Sequence, residues 1–333
     1  MFETSFHQKD ISRSCFLITG GAGFIGSNIV EYLLKYGAKK VRVLDNLSTG
    51  FSSNLEKHRK NKQFEFIKGD IGNYQDCVQA CQGMDFISHQ AALGSVPRSL
   101  SDPIATNKSN VDGFLNIITA AREQHVKRIV YASSSSVYGD SPTLPKKEEN
   151  IGTPLSPYAV SKYTNELYAK VAHLNYHQEI VGLRYFNVFG PYQSPKGAYA
   201  AVIPLFIEAL QKNQAPFING SGEQSRDFTF VENAVQANVK ALLTENEQAL
   251  GEVFNIGFGK QFSLVELFDL IKEFIGADVA PVHREERKGD VKYSLADISK
   301  AKQLMDYNPQ IDLIDGLKQT IEWFQKRPSL KAN

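Results

Sequence analysis

The run Thr19-Gly20-Gly21-Ala22-Gly23-Phe24-Ile25-Gly26-Ser27 constrains this chain more than any other stretch. It follows the short apolar segment Phe16-Leu17-Ile18 and precedes NIVEYLLKYG, whose apolar spacing is helical. A strand must therefore turn sharply into a helix, and glycines supply backbone conformations that side chains forbid. Gly21 to Gly26 reads G-x-G-x-x-G, and Gly20, Gly23 and Gly26 also keep a regular step. In that setting the loop's backbone N–H groups, those of Phe24 and Ile25 among them, and the positive end of the helix that follows come up to a pyrophosphate.

The next segments supply the context that such a loop requires. Val41-Arg42-Val43-Leu44-Asp45 reads as a second strand ending in an acid, about twenty residues beyond the loop, where a carboxylate receives the ribose hydroxyls of NAD. Asp45 would repel a 2′-phosphate, so NAD is favoured over NADP; with Asn46 it also suits the opening of the turn DNLSTG, which carries Ser48 and Gly50. Phe64 to Asp70 and Asp85 to Gln90 read as strands three and four, with Asp70-Ile71 placed to meet an adenine ring. Gln90-Ala91-Ala92 and Leu93-Gly94-Ser95 leave strand four with small residues that let backbone approach a ligand. Asp102 to Glu123 carries one helical apolar stripe, and Arg128 to Ala132 is a fifth strand running into four serines, Ser133 to Ser136. Strand and helix alternate as in an α/β, doubly wound parallel sheet of the Rossmann type.

Composition excludes several classes. With 42% hydrophobic residues in 333, the chain can bury one large or two ordinary domains, and its net charge of +1 offers no global field for nucleic acid or membrane surfaces. The opening stretch MFETSFHQKDISRSC has no apolar h-region, and no apolar run approaches a membrane span, so a cytoplasmic protein is expected. Cys15, Cys77 and Cys81 lack a matching His or Cys pair and read as free core thiols, with no metal site.

After the stop-and-start signal Thr153-Pro154-Leu155-Ser156-Pro157, a helix opens with Tyr158-Ala159-Val160-Ser161-Lys162. Tyr158 and Lys162 share one helix face. A phenol of pKa near 10 is about one part in a thousand ionised at pH 7, so a useful tyrosinate needs roughly 4 kcal/mol of electrostatic help. A neighbouring ammonium and a positive nicotinamide ring can provide it, while serine hydroxyls at a strand end can relay the proton.

Glycine loop, strand-two acid, serine strand and Y-x-x-x-K, in that order, resemble the extended short-chain dehydrogenase/reductase family over nearly the whole chain. The resemblance implies Tyr158 as general base, Lys162 holding the ribose and lowering the tyrosine pKa, and Ser134 hydrogen-bonding the reacting hydroxyl. Sugar-nucleotide dehydratases and decarboxylases of the family carry an acid where Ser135 and Ser136 stand here, whereas 4-epimerases need none. Arg184-Tyr185-Phe186-Asn187 is similar to a family segment whose tyrosine lies near the cofactor and whose asparagine contacts the pyrophosphate. Gly220 to Asp227 and Arg287-Lys288-Gly289-Asp290 resemble segments that make Arg226 and Arg287 diphosphate ligands and Asp290 a ribose ligand. The residue five beyond Gly289, Ser294, is small where a tyrosine would exclude an N-acetyl group. Together with Gly94-Ser95-Val96-Pro97-Arg98, this resembles the bacterial UDP-N-acetylglucosamine 4-epimerases of surface-polysaccharide pathways.

The reading that follows is an NAD-binding lobe over residues 1–186, with segments returning to it near 228–257, and a smaller UDP-sugar lobe mainly over 187–333. NAD is expected to be tightly bound and recycled, the substrate a UDP-sugar and the protein a homodimer. UDP-glucuronate or UDP-glucose 4-epimerisation is the alternative, and an inactive NAD sensor the remote one.

Overall fold

The structure, a computed structural model, describes residues 1–196, 200–285 and 292–326. Seven strands form one sheet: β1 (Cys15–Thr19), β2 (Lys40–Asp45), β3 (Phe64–Lys68), β4 (Phe86–His89), β5 (Arg128–Ser134), β6 (Glu179–Tyr185) and β7 (Val253–Ile256). Their order is β7-β6-β5-β4-β1-β2-β3, every pair parallel. The order reverses between β1 and β4, so a crevice opens beyond their carboxyl ends, where the glycine loop and the Gln90–Ser95 stretch emerge.

Both faces of the sheet are covered, which is why β1 is buried at every position rather than alternately. Phe16 and Ile18 point to one face, where α1 (Phe24–Lys35) supplies Ile29, Val30 and Leu33. On the other face Leu17 meets α2 (Tyr74–Cys81), and Phe114 and Ile117 of α3 (Gly113–Glu123) and Ala169 of α4 (Pro157–Tyr176) complete that layer. α5 (Val231–Leu243) joins α1 on the first face through Ala234 and Val235. Thus α5 and β7 rejoin the large lobe although the chain between β6 and α5 lies elsewhere. A separate core of Phe189, Phe206, Ile207, Leu267 and Leu317 builds the smaller lobe around the helices Val202–Gln211, Leu264–Ile275 and Leu313–Lys326.

Two segments differ from their sequence reading. β5 does not stop at Ala132 but continues through Ser133 and Ser134, which pair with Arg184 and Tyr185 of β6. The stripe from Asp102 to Glu123 is not one regular helix: between Pro103–Asn107 and Gly113–Glu123 the turn Lys108–Asp112 is a wider π turn. That turn buries Asn110, whose side chain accepts from Leu93 N–H (2.8 Å) and donates to Leu93 O (3.2 Å) and Ser161 Oγ (3.0 Å). An insertion of this kind is common where a helix must aim a polar group.

β6 and α4 are joined by a buried ion pair. Arg184 Nε and Nη2 donate to the two oxygens of Glu166 at 2.8 and 2.7 Å, with the side chains only 3% and 5% exposed. Ser133 Oγ donates to the same carboxylate at 2.5 Å, and Arg184 Nη1 donates to Tyr138 Oη and Glu148 O. Replacing Arg184 by leucine strands a buried carboxylate, so urea denaturation of R184L should show a loss of about 3–5 kcal/mol; a loss below about 1 kcal/mol would mean that the pair does not hold α4 to the sheet.

Candidate active site

The glycine loop is built by exclusion. Gly20 has φ +67°, and a Cβ there would lie 2.7 Å from Ala91 N; one on Gly26 would lie 2.3 Å from Gly20 O. Side chains at either position would fill the space between β1, β4 and α1. Gly23 stands at the N-cap of α1 and no side chain caps that end, so its leading N–H groups face the crevice as an anion site.

Beyond the loop lies a cavity of 590 Å³. Gly20, Gly23, Phe24, Ile25 and Gly26 form one wall; Asp45, Asn46, Ser48, Gly50 and Ile71 close one end; Gln90, Ala91, Ala92, Gly94 and Ser95 form the other side. Ser134, Tyr158, Lys162, Tyr185 and Asn187 line the far end. Asp45 lines the cavity, and its oxygens accept from Leu47 N–H (2.8 Å), at the opening of the turn, and from Ala22 N–H (2.9 Å). Burial raises its pKa against those two hydrogen bonds.

Asp70 does not line this cavity. It lies past the end of β3, exposed, accepting from Gly72 N–H and from the Asn46 amide, so only Ile71 of that pair is a wall residue. Ser135 and Ser136 also stand back from it, in the 3₁₀ turn Ser135–Tyr138 that follows β5. His89 is a core residue, 2.8 Å from Thr19 Oγ1, its pKa pushed down to about 3 by burial and then by the charge of Lys162.

α4 brings the reactive pair to the end of β5. Ser156 Oγ caps its start by accepting from Ala159 N–H at 3.2 Å. One turn apart, Tyr158 lies close enough to Ser134 for the serine to act on its pKa, and Lys162 Nζ donates to Ala132 O at 2.8 Å. Ser134 Oγ also donates to Ser136 Oγ at 3.1 Å, extending a short hydroxyl chain. Burial lowers the Lys162 pKa to about 8. Burial also raises that of Tyr158, with the neighbouring Ser134 hydroxyl opposing it. The sequence expectation that Lys162 lowers the phenol's pKa is therefore not what governs here: desolvation outweighs the assistance, which comes from Ser134.

Tyr185 is fixed from both sides, its hydroxyl donating to Gln90 Oε1 (3.2 Å) and accepting from Asn238 Nδ2 (2.7 Å). Asn238, on α5, and Asn110, in the π turn, are residues that sequence reasoning missed.

A second cavity, of 520 Å³, lies in the smaller lobe, and Asn187, Val188, Gln193 and Ala201 line both. Its other walls include Phe206, Lys212, Phe217, Asn219 and Arg226. Arg226 Nη1 donates to Ser225 O and Lys292 O at 2.8 and 3.1 Å. Ser294, expected to touch the sugar, is buried beside that strand with its N–H donating to Ser225 O (3.2 Å), and it is not among the described wall residues. Arg287 and Asp290 lie outside the described residues. Among the described residues no group of His, Cys, Asp and Glu side chains could hold a metal ion, and no helix is long and apolar enough to cross a membrane. Burial pushes the Cys77 and Cys81 thiols up to about 12.

The first cavity thus offers a backbone anion site, a carboxylate, and a tyrosine, lysine and serine at one end; the second offers an arginine among apolar walls. The family model described as NAD dependent epimerase/dehydratase family matches residues 16–257. A Methanocaldococcus jannaschii protein assigned as a UDP-glucose 4-epimerase is 40% identical over 93% of this chain and 98% of its own. The UDP-N-acetylglucosamine 4-epimerase of Methanobrevibacter ruminantium M1, solved with UDP-N-acetylmuramic acid, is 38% identical with a TM-score of 0.89, covering 94% of this chain and 98% of that one. The UDP-glucuronic acid 4-epimerase of Bacillus cereus, solved with UDP-glucuronic acid and NAD, is 32% identical with a TM-score of 0.87, covering 94% and 99%.

The Lys162 shift has a definite sign. Below pH 8 the folded protein carries a buried charge; between about pH 8 and 10.5 the unfolded lysine holds its proton while the folded one has lost it, so stability rises with pH in that window. Protein stripped of dinucleotide should therefore be less stable than its Lys162→Met variant at pH 7, with the gap closing towards pH 10.5. A pH-independent gap in denaturant titrations would mean that Lys162 keeps an ordinary pKa.

Proposed function

The chain belongs to the NAD dependent epimerase/dehydratase family, and from that premise we propose that it is a UDP-sugar 4-epimerase that prefers UDP-N-acetylglucosamine and UDP-N-acetylgalactosamine, in surface-polysaccharide synthesis. The observation that carries the acetamido preference is Gly94. It lines the same cavity as Ser134 and Tyr158, and a Cβ added there would meet nothing within 4 Å. That open space beside Gly94 supports a reading in which the sugar carries a substituent at C2.

The residues present fit NAD. The uncapped start of α1 suits the pyrophosphate, Asp45 the adenosine ribose, Ile71 the adenine face, and Lys162 the second ribose. NAD held there would supply a hydride acceptor and donor for C4 of the sugar. Tyr158 takes the proton of the C4 hydroxyl, directly or through Ser134, and gives it back after the 4-keto sugar has turned over. Asn187 and Arg226, with Arg287 and Asp290 beyond the described residues, anchor the UDP moiety so that the hexose turns while the ketone stays in the cavity.

Uronate turnover is the competing reading, because Ser95 lines the same cavity and Arg98 follows it in the chain, its backbone N–H donating to Ser95 Oγ at 3.2 Å. Separate incubations with UDP-GlcNAc, UDP-Glc and UDP-GlcA, resolved by NMR, decide among them: UDP-GlcNAc should turn over fastest, and turnover of UDP-GlcA alone would overturn the proposal. Tyr158→Phe should retain NAD and lose about 10²–10⁴-fold in kcat.

We also propose a homodimer through the outer face of α4 and its neighbour. Val160, Leu167, Val171 and Leu174 leave an exposed apolar stripe at helical spacing, beside Leu100 and an 81% exposed Ile104. Sedimentation equilibrium at micromolar concentration should give twice the chain mass; a single-chain mass would overturn this part.

A further inference from the structure

Helix α1 carries Asn28 and Glu31 three residues apart, hence on neighbouring positions of its surface, and it holds two loops at once. The first loop follows β2. Its Asn46, Ser48 and Gly50 line the first cavity, and it is tied back over the glycine loop by Phe51 N–H and the Asn54 amide, both donating to Ala22 O at 3.0 and 2.9 Å. It ends in the 3₁₀ turn Ser52–His58, which carries Lys57. The second loop follows β6 and contains Asn187 and Gln193, walls shared by the two cavities.

α1 grips both. The Asn28 amide donates to Pro191 O at 3.1 Å. The Glu31 carboxylate accepts from the Tyr192 hydroxyl at 3.3 Å and from the Lys57 ammonium at 2.5 Å. Lys57 Nζ lies 5.5 Å from the centre of the Tyr192 ring, and that ring meets Trp323 edge-on at 5.3 Å. The second loop is held in backbone conformations that are populated only under constraint: Asn187 has φ +29° and Tyr192 φ +72°. Glu31, Lys57 and Tyr192 line neither cavity, so ligand contact does not account for the cluster.

We propose that Glu31 is a positioning residue that couples the cofactor-covering loop to the nucleotide loop, so that filling the second cavity slows release of the dinucleotide from the first. The inference rests on the functional reading above. A ligand touching Asn187 and Gln193 stabilises the constrained second loop, which keeps Tyr192 on Glu31 and Lys57. The loop after β2 then has to break that cluster before it can lift from the adenosine end. To the extent that the coupling appears in the two binding affinities, it is reciprocal by linkage. It serves a reaction whose two half-steps use the same dinucleotide while the substrate stays bound.

The test uses the NAD-loaded protein and UDP alone as the probe, following exchange of bound NAD for added NADH. In the wild type saturating UDP should slow exchange by about tenfold or more, and in Glu31→Ala and Tyr192→Phe by less than about threefold. Tyr192→Phe removes only a hydroxyl, so a folding defect cannot imitate the result. Trp323 is the only tryptophan in the chain, so its emission should respond to UDP in the wild type and less in the variants. If calorimetry shows UDP bound but wild-type exchange is unchanged, or if the variants keep the full slowing, the coupling is overturned while the functional reading stands. Failure of UDP to bind overturns both.

Discussion

A carboxylate and a guanidinium side by side in the interior set the geometry of everything around them. Glu166 and Arg184 are costly to desolvate, and the cost is offset only because every oxygen and nitrogen finds a partner: Ser133, Tyr138 and the Glu148 carbonyl complete the pair. The consequence for the site is one of alignment. Tyr158, Lys162 and Glu166 fall on successive turns of α4, and they meet Ser134, the Ala132 carbonyl and Ser133 of β5 respectively. The ion pair at the bottom of that row sets the depth at which the helix lies on the strand, and so the position of the reactive hydroxyls at the top.

Much of this could be read from the sequence because it is local. A strand-to-helix turn that admits no Cβ declares itself as glycine, and a helix that presents two residues on one face declares itself by their spacing. The fold class, Asp45, the Tyr158/Lys162 pair and the glycine loop are of this kind. What the sequence concealed depends on segments far apart in the chain. Tyr185 is oriented by Asn238 and Gln90, and Leu93 by Asn110 across a π turn that no apolar periodicity reveals. Asp70 followed a strand-end rule, yet its carboxylate is engaged by Gly72 and Asn46. Ser294 was located by counting along a motif, whereas the structure buries it with its backbone N–H on Ser225 O.

Electrostatics divides the two lobes more clearly than hydrophobicity does. The first cavity combines the uncapped start of α1 with the Asp45 carboxylate at one end, and at the far end a lysine whose burial brings its titration to about 8. In the second, Arg226 sits among apolar and aromatic walls. In a chain of nearly zero net charge, any field met in either cavity is local rather than global.

The shared wall of the two cavities has a consequence for how such a protein can change. Lys212 and Phe217 belong to the second cavity alone, and Asn46 and Ser48 to the first alone. Each set can drift, through natural variation or by design, without disturbing the other ligand. Asn187 and Gln193 have no such freedom, since any substitution there is felt by both ligands. Diversification of the base or sugar end should therefore run around these positions, leaving them as a fixed hinge between two independently adaptable halves.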